Sequence, residues 1–175
     1  ILGPWENVGR LPWWLQRIAR GGPVVAPGPP DLPLQLIDAR DLARWTLDAA
    51  AAGRSGPHDL VSPSGHATMG QLLAACVVAT GSNAELRWVE PDVVLAAEVA
   101  PWTELPIWLP PGGAHDAMHR SDVSRALATG LVCRPVEETV ADTWTWLESL
   151  DGPPAQRTDR PPVGLPEDKE AALLA

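Results

Sequence analysis

The sequence of 175 residues contains no tyrosine and no phenylalanine, although it contains nine tryptophans. Tyrosine is one of the side chains that can move a proton in catalysis. Any site that this chain builds alone therefore excludes a phenolic acid or base.

Positive charge is scarce. The chain has 13 Lys and Arg against 22 Asp and Glu, its net charge is −9, and Lys169 is its single lysine. A protein that binds nucleic acid needs a basic face to neutralise phosphates. We therefore expect no nucleic-acid partner.

Long apolar runs are also absent. The longest, such as residues 72–78, fall far below the roughly 20 residues of a membrane span, and no basic-then-apolar segment opens the chain. We expect a cytoplasmic protein without a membrane partner. The two cysteines, Cys76 and Cys133, have neither metal-type nor redox-type spacing and are predicted to be reduced core residues.

The order of apolar patterns predicts an α/β fold. A capping box at Thr68 and Gln71 marks one helix start, and Asp41 is predicted to cap another. Five prolines in residues 23–33 predict an irregular surface loop. Strands are expected at 34–37, 59–61 and 86–89, and helices at 12–19, 41–52, 68–79, 92–97 and 136–147.

The two ends of the sequence have distinct patterns. Ile1 and Leu2 before Gly3-Pro4 are typical of a buried strand that runs into a turn, so we expect the chain to begin within a fold. A sheet edge left open there would favour an oligomer or a partner chain. Residues 151–175 are predicted to be a proline-rich linker and a C-terminal helical tail, separate from the α/β region 1–150.

Several short segments occur together in a recognisable order. They are Gly3-Pro4, Arg10-Leu-Pro-Trp-Trp14, Gly28-Pro-Pro-Asp31, Gln35-Leu-Ile-Asp-Ala-Arg-Asp-Leu-Ala43, Thr68-Met-Gly-Gln-Leu-Leu73, Pro101-Trp-Thr-Glu-Leu-Pro-Ile-Trp-Leu-Pro110 and Asp122-Val-Ser-Arg-Ala-Leu-Ala128. With this order, the chain resembles the second half of actinobacterial members of the NAD-dependent epimerase/dehydratase family, the extended (atypical) short-chain dehydrogenases/reductases. The resemblance covers essentially the whole chain.

The resemblance implies a fold and a cofactor. This chain would be the C-terminal, substrate-binding half, in which short strands alternate with helices and from which the Rossmann nucleotide-binding half is absent. In the family that other half holds NAD(P) on a glycine-rich turn. No G-x-x-G-x-x-G and no Tyr-x-x-x-Lys occurs in this sequence, so we expect that this chain alone binds no cofactor and carries no catalytic residue.

The resemblance also places segments over a substrate. It implies substrate-binding roles for Arg10, Trp13, Trp14, Gln35, Trp102 and Trp108, with Trp as flat walls and Arg10 or Gln35 as orienting donors. Trp13 and Trp14, at helical spacing, are equally compatible with a core. His115 and His119 have the i, i+4 spacing of two metal ligands, but no third ligand is indicated, so no metal site is predicted.

Two classes of function remain open at this point. The first is the substrate-binding part of an NAD(P)-dependent oxidoreductase or epimerase-like enzyme that acts on a small organic or sugar-like substrate. Its partner would be an N-terminal Rossmann half or a second copy. The alternative is a truncated homologue without cofactor, acting as an isomerase or cyclase, a binding protein or the structural subunit of a split enzyme. Whether the chain is itself an enzyme stays open.

Overall fold

The computed structural model describes all residues 1–175 and contains eight helices and six short strands. The helices are α1 (Arg10–Ala19), α2 (Ala39–Ala51), α3 (Met69–Thr80), α4 (Pro91–Ala96), α5 (Gly113–His119), α6 (Ser124–Ala128), α7 (Val136–Glu148) and α8 (Glu167–Leu174). The strands are β1 (Gly22–Pro27), β2 (Pro33–Leu34), β3 (Ala67–Thr68), β4 (Ala84–Val89), β5 (Pro101–Trp102) and β6 (Leu105–Pro106). The chain is α/β, as the sequence predicts.

The strands form three separate pairs. β1 and β4 are parallel, with Gly22 opposite Ala84 and Pro27 opposite Val89. β2 and β3 are antiparallel, and β5 and β6 are parallel. A parallel bridge also joins Leu2 to Asp38.

Strand β1 corrects the loop predicted for residues 23–33. Val24, Val25 and Ala26 are almost completely buried, and prolines occupy positions 23 and 27 near the two ends of the strand. Proline is tolerated near a strand end because fewer ladder hydrogen bonds are lost there. Proline content therefore concealed a buried strand.

Two further strand predictions are wrong in extent. The strand expected at 34–37 is confined to β2, and residues 59–61 form no strand. The backbone N–H of Ser62 donates to the carbonyl of Leu36, and that of Leu2 donates to the carbonyl of Ile37. Single bonds of this kind satisfy the backbone without building a ladder.

The helix starts are explained by their caps. α3 has the predicted capping box: the Thr68 hydroxyl accepts from the Gln71 N–H, and the Gln71 side chain accepts from the Thr68 N–H. α2 is capped by Asp38 instead of Asp41, since the Asp38 carboxylate accepts from the Arg40 N–H at 2.8 Å. Asp41 lies in the first turn and pairs with Arg134 at 2.8 Å.

Helices α1, α3 and α7 pack against one another, and their buried side chains share the main hydrophobic core of 24 residues with those of β1 and the neighbouring segments. A second cluster of five buried residues joins α2 to α6: Ile37, Trp45, Ala49, Ala126 and Leu131. Cys76 is in the main core and Cys133 is half-buried, and both are free thiols. Burial raises the pKa of the Cys133 thiol, and more strongly that of Cys76.

The C-terminal segment is attached to the rest of the fold. Residues 151–165 have no helix or strand, but α8 packs on β1. Glu170 on α8 forms an ion pair of 2.7 Å with Arg17, and both side chains are buried. Lys169 pairs with Glu104 at 2.8 Å. None of the helices has the length and apolar character that crossing a membrane requires.

Candidate functional site

A cleft of about 320 Å³ lies where α1, α5, β5 and the segment after β2 meet. Three residues singled out from the sequence line it, namely Arg10, Gln35 and Trp102. His119, at the end of α5, lines it as well. The remaining walls are mostly apolar, which is typical of a small-molecule site.

Arg10 and Trp102 form one wall of the cleft. The guanidinium carbon of Arg10 lies 5.7 Å from the Trp102 ring, within the range of a cation–π contact. Arg10 Nε donates to Glu6 at 3.0 Å and Nη2 donates to the carbonyl of Ile1 at 3.1 Å. The guanidinium is therefore held in position.

Trp102 has an unusual backbone conformation. Its φ of 67° lies in the left-handed region, which a bulky residue rarely adopts. The strained residue is supported by a hydrogen bond from its N–H to the carbonyl of Trp108 at 2.9 Å. Such strain concentrates at binding sites, where the surrounding structure fixes a side chain in one orientation.

His119 supplies a polar group without an internal partner. Its Nδ1 accepts from the backbone N–H of Gln35 at 3.0 Å, so the ring proton is assigned to Nε2. Nε2 is buried and has no hydrogen-bond partner. Burial and the neighbouring His115 lower the pKa of His119 to about 4. At neutral pH the ring is an uncharged donor.

Gln35 has a different role from the one expected. Its amide nitrogen donates to the carbonyls of Ser62 at 3.0 Å and Ser121 at 2.9 Å. Its amide oxygen accepts from the N–H of Ser121 at 2.7 Å. With these bonds made, the side chain holds the segment that follows His119 instead of orienting a ligand.

The structure places three of the six candidate residues away from the cleft. Trp14 and Trp108 are completely buried, and their indole N–H groups donate to the carbonyls of Pro106 at 2.8 Å and Gly28 at 3.0 Å. Trp13 packs edge-on against Trp14 at 4.7 Å. The expectation that these tryptophans form a pocket wall is corrected, because their rings serve the core and its margin.

The sequence pattern indicates His119 only as one half of a possible pair of metal ligands. The His115 and His119 rings are 4.8 Å apart, but His115 Nε2 is bonded to the carbonyl of Pro33 at 2.8 Å. No group of three His, Cys, Asp or Glu side chains could hold a metal ion. The i, i+4 spacing predicts that both imidazole rings lie on one face of a helix. That spacing is the sequence feature from which His119 could have been named as a site residue.

A second depression, of about 330 Å³, shares Arg10 and Trp102 with the cleft. Arg160, in the segment between α7 and α8, lines it with Thr103. Arginines are the only charged residues among its walls, in a chain whose net charge is −9. This depression favours an anionic group beside the cleft.

No protein-family model matches this chain, and no curated protein sequence does either. Two enzymes are among the solved structures that resemble it. One is a GDP-L-fucose synthetase from Naegleria fowleri bound to NADP, with a TM-score of 0.58 and 15% identity over 83% of this chain. The other is the Bordetella bronchiseptica enzyme WbmH in complex with NAD⁺, with a TM-score of 0.58 and 22% identity over 86% of this chain.

The chain shares its fold with part of each enzyme. It spans 42% of the length of the synthetase chain and 43% of the WbmH chain. At these identities the likeness establishes a common fold and no more.

Proposed function

We infer that this chain is the substrate-binding part of an NAD(P)-dependent oxidoreductase or epimerase-like enzyme of the extended short-chain dehydrogenase family. Its ligand would be a small organic or sugar-like molecule. The observation that carries the proposal is the cleft itself, which Arg10, Trp102 and His119 line together. The fold shared with two enzymes that bind NADP or NAD⁺ supports it.

The cleft has the groups that orient the neutral, oxygen-rich part of a ligand. Trp102 offers a flat face on which a sugar ring or another ring can stack. His119 Nε2–H makes no hydrogen bond within the chain, and a ligand oxygen would satisfy it if the side chains that cover it move aside. Because the ring is uncharged at neutral pH, it selects a hydroxyl or carbonyl oxygen without requiring an anion.

Arg10 and Arg160 would bind an anionic group at one end of the ligand. Their depression adjoins the cleft at Trp102, so a phosphate or carboxylate on the ligand would lie there. Glu6 already pairs with one side of the Arg10 guanidinium. Arg160 lines the depression and is the second cation that an anionic group of a ligand would meet.

This chain is proposed to bind and orient the substrate, and the chemistry would come from elsewhere. It has no tyrosine, and its one lysine, Lys169, is paired with Glu104 outside the cleft. The family's Tyr-x-x-x-Lys pair can therefore not form from these residues. The nicotinamide cofactor would be held by a Rossmann half on the same or another polypeptide.

Saturation-transfer NMR with D-glucose, GDP-L-fucose and dihydroxyacetone tests the proposal. We expect at least one compound to bind. The affinity for that compound should fall at least about tenfold in Arg10→Met, because the variant loses polar contacts that contribute about 1.4 kcal/mol or more. The matched control is Arg44→Met, an exposed arginine on α2 outside the cleft. His119→Gln keeps an N–H donor and should bind better than His119→Leu. Absence of binding by all three compounds, or equal effects of the two arginine variants, would contradict the proposal.

A further inference from the structure

Strand β4 is the exposed edge of its sheet, because β1 is the only strand hydrogen-bonded to it. The side chains of Glu85 and Arg87 are 63% and 59% exposed. Trp88, on the same strand, is 38% exposed. An open edge with an exposed tryptophan is a site at which a further strand can pair.

The backbone phase of β4 follows from one hydrogen bond. The N–H of Gly28, just after β1, donates to the carbonyl of Val89 at 2.9 Å, so the backbone groups of Val89 face β1. The direction alternates along a strand, and Arg87 and Glu85 therefore also face β1. The N–H and C=O groups of Ala84, Leu86 and Trp88 point away from the sheet.

We propose that β4 pairs antiparallel with β4 of a second copy of this chain, about a two-fold axis at Leu86. In this register Leu86 faces Leu86 of the second copy, and Ala84 faces Trp88 of the second copy. These are the residues whose backbone groups point outward, so each exchanges both hydrogen bonds with its partner. At Ala84 the N–H gives up its 3.4 Å hydrogen bond to the Ser82 hydroxyl in order to do so. The result is a four-stranded sheet in the order β1, β4, β4, β1.

The charges on β4 are complementary in this register. Glu85 of one copy faces Arg87 of the other, and the two-fold axis makes the same pair twice. These positions are non-hydrogen-bonded pairs, in which the side chains of opposite strands are closest. Within one chain, Glu85 and Arg87 already pair with each other, so both side chains can exchange that contact for a cross-strand one.

Apolar residues next to the edge support the same occupant. Trp88 would lie over Ala84 of the second copy, where a small side chain leaves room for the indole.

Sedimentation equilibrium with the full chain tests the pairing through a charge swap. The wild-type chain is expected to form a dimer, and Arg87→Glu or Glu85→Arg alone should raise its dissociation constant about tenfold, since each places like charges opposite one another twice. The double variant Glu85→Arg with Arg87→Glu should restore the wild-type value. Arg157→Glu is the matched control, because Arg157 and Asp159 form an exposed i, i+2 ion pair elsewhere.

Cross-linking fixes the register. In a Cys133→Ser background, chains carrying Glu85→Cys mixed with chains carrying Arg87→Cys should form disulfide-linked heterodimers, since opposite residues of such a pair have Cα atoms about 4.5 Å apart. Chains with Glu85→Cys alone should cross-link poorly. Three results would overturn the proposal. They are a wild-type chain that stays monomeric at about 100 µM, a double variant that does not restore the dimer, and equal cross-linking of both samples.

Discussion

The backbone N–H of Gln35 donates a hydrogen bond to Nδ1 of His119 at 3.0 Å, although the residues are 84 positions apart in the sequence. This bond assigns the ring proton to Nε2 and holds the neutral ring at the cleft. The Gln35 side chain fixes Ser121, two residues beyond His119. One residue therefore supports both the donor and the chain segment that follows it.

The buried state of His119 predicts an acid-sensitive fold. Its folded pKa is about 4, below the usual 6.5, so the unfolded chain binds more protons between these values and stability falls as the pH is lowered through this window. From pH 7 to pH 5 the loss from this residue is about 2 kcal/mol. Urea unfolding at both pH values should show this loss in the wild type and not in His119→Gln. An equal loss in both proteins would contradict the account.

The Asp38 carboxylate is expected to be essential to the fold. Burial alone would raise its pKa, but hydrogen bonds from Arg40 and Thr139 hold that pKa below its usual range. Asp38→Ala should cost about 2–4 kcal/mol of unfolding free energy, because it removes the cap of α2 and the buried acceptor of the Thr139 hydroxyl. Asp142→Asn, at the half-exposed partner of Arg40, should cost less than about 1 kcal/mol. Urea denaturation measures both variants, and similar losses of unfolding free energy in Asp38→Ala and Asp142→Asn would contradict this prediction.

The ion pair between Arg17 and Glu170 is expected to anchor α8. Glu170 also accepts from the N–H of Val25 in β1, and Arg17 donates to the carbonyl of Pro23. Glu170→Gln leaves a buried guanidinium without its counter-charge and should destabilise the chain by about 3 kcal/mol, with faster amide exchange in α8. Glu167→Gln on the same helix breaks an exposed pair with Arg20 and should cost at most about 0.5 kcal/mol. If the amides of α8 exchange at the same rate in both variants, the ion pair of Glu170 does not anchor this helix.

We expect the isolated chain not to bind NADH or NADPH at micromolar concentrations. A dinucleotide site needs a glycine-rich turn whose N–H groups reach the pyrophosphate. Here β4 enters α4 through Glu90 and Pro91, which place a carboxylate and a residue without an N–H at that position. Calorimetric titration, with a complete dehydrogenase as positive control, measures this directly. Saturable heat from this chain at micromolar ligand would show that another segment forms a dinucleotide site.

The sequence predicts the helices well where their signals are local. The capping box of Thr68 and Gln71 and the left-handed Gly81 define both ends of α3 within a single stretch of sequence. Strand β1 was missed because its prolines resemble those of a loop, and its identity depends on pairing with β4 about 60 residues away. Asp38 and Asp41 both have a side chain that can cap α2. Asp38 accepts from the Arg40 N–H, whereas Asp41 pairs with Arg134, which is distant in the sequence.

The site was predictable in part. Arg10 and Trp102, for which the family resemblance implies substrate-binding roles, both line the cleft, and those roles stay a prediction. Trp14 and Trp108 come from the same segments but face inward. A shift of one position along a helix or turn is enough to change the direction of a side chain from the cleft to the core. His119 becomes a candidate only through long-range contacts with Gln35 and burial, which no local pattern encodes.

The indole N–H signals in a ¹H–¹⁵N NMR spectrum test the central claim most directly. The nine tryptophans give separate probes, and the Trp102 signal can be assigned with Trp102→Phe. On titration with D-glucose, GDP-L-fucose or dihydroxyacetone, the account predicts that a binding compound shifts the Trp102 signal. The signals of Trp14 and Trp108, whose N–H groups are bonded within the core, should stay in place. Shifts confined to other tryptophans, with Trp102 unchanged, would contradict the assignment of the cleft as the substrate site.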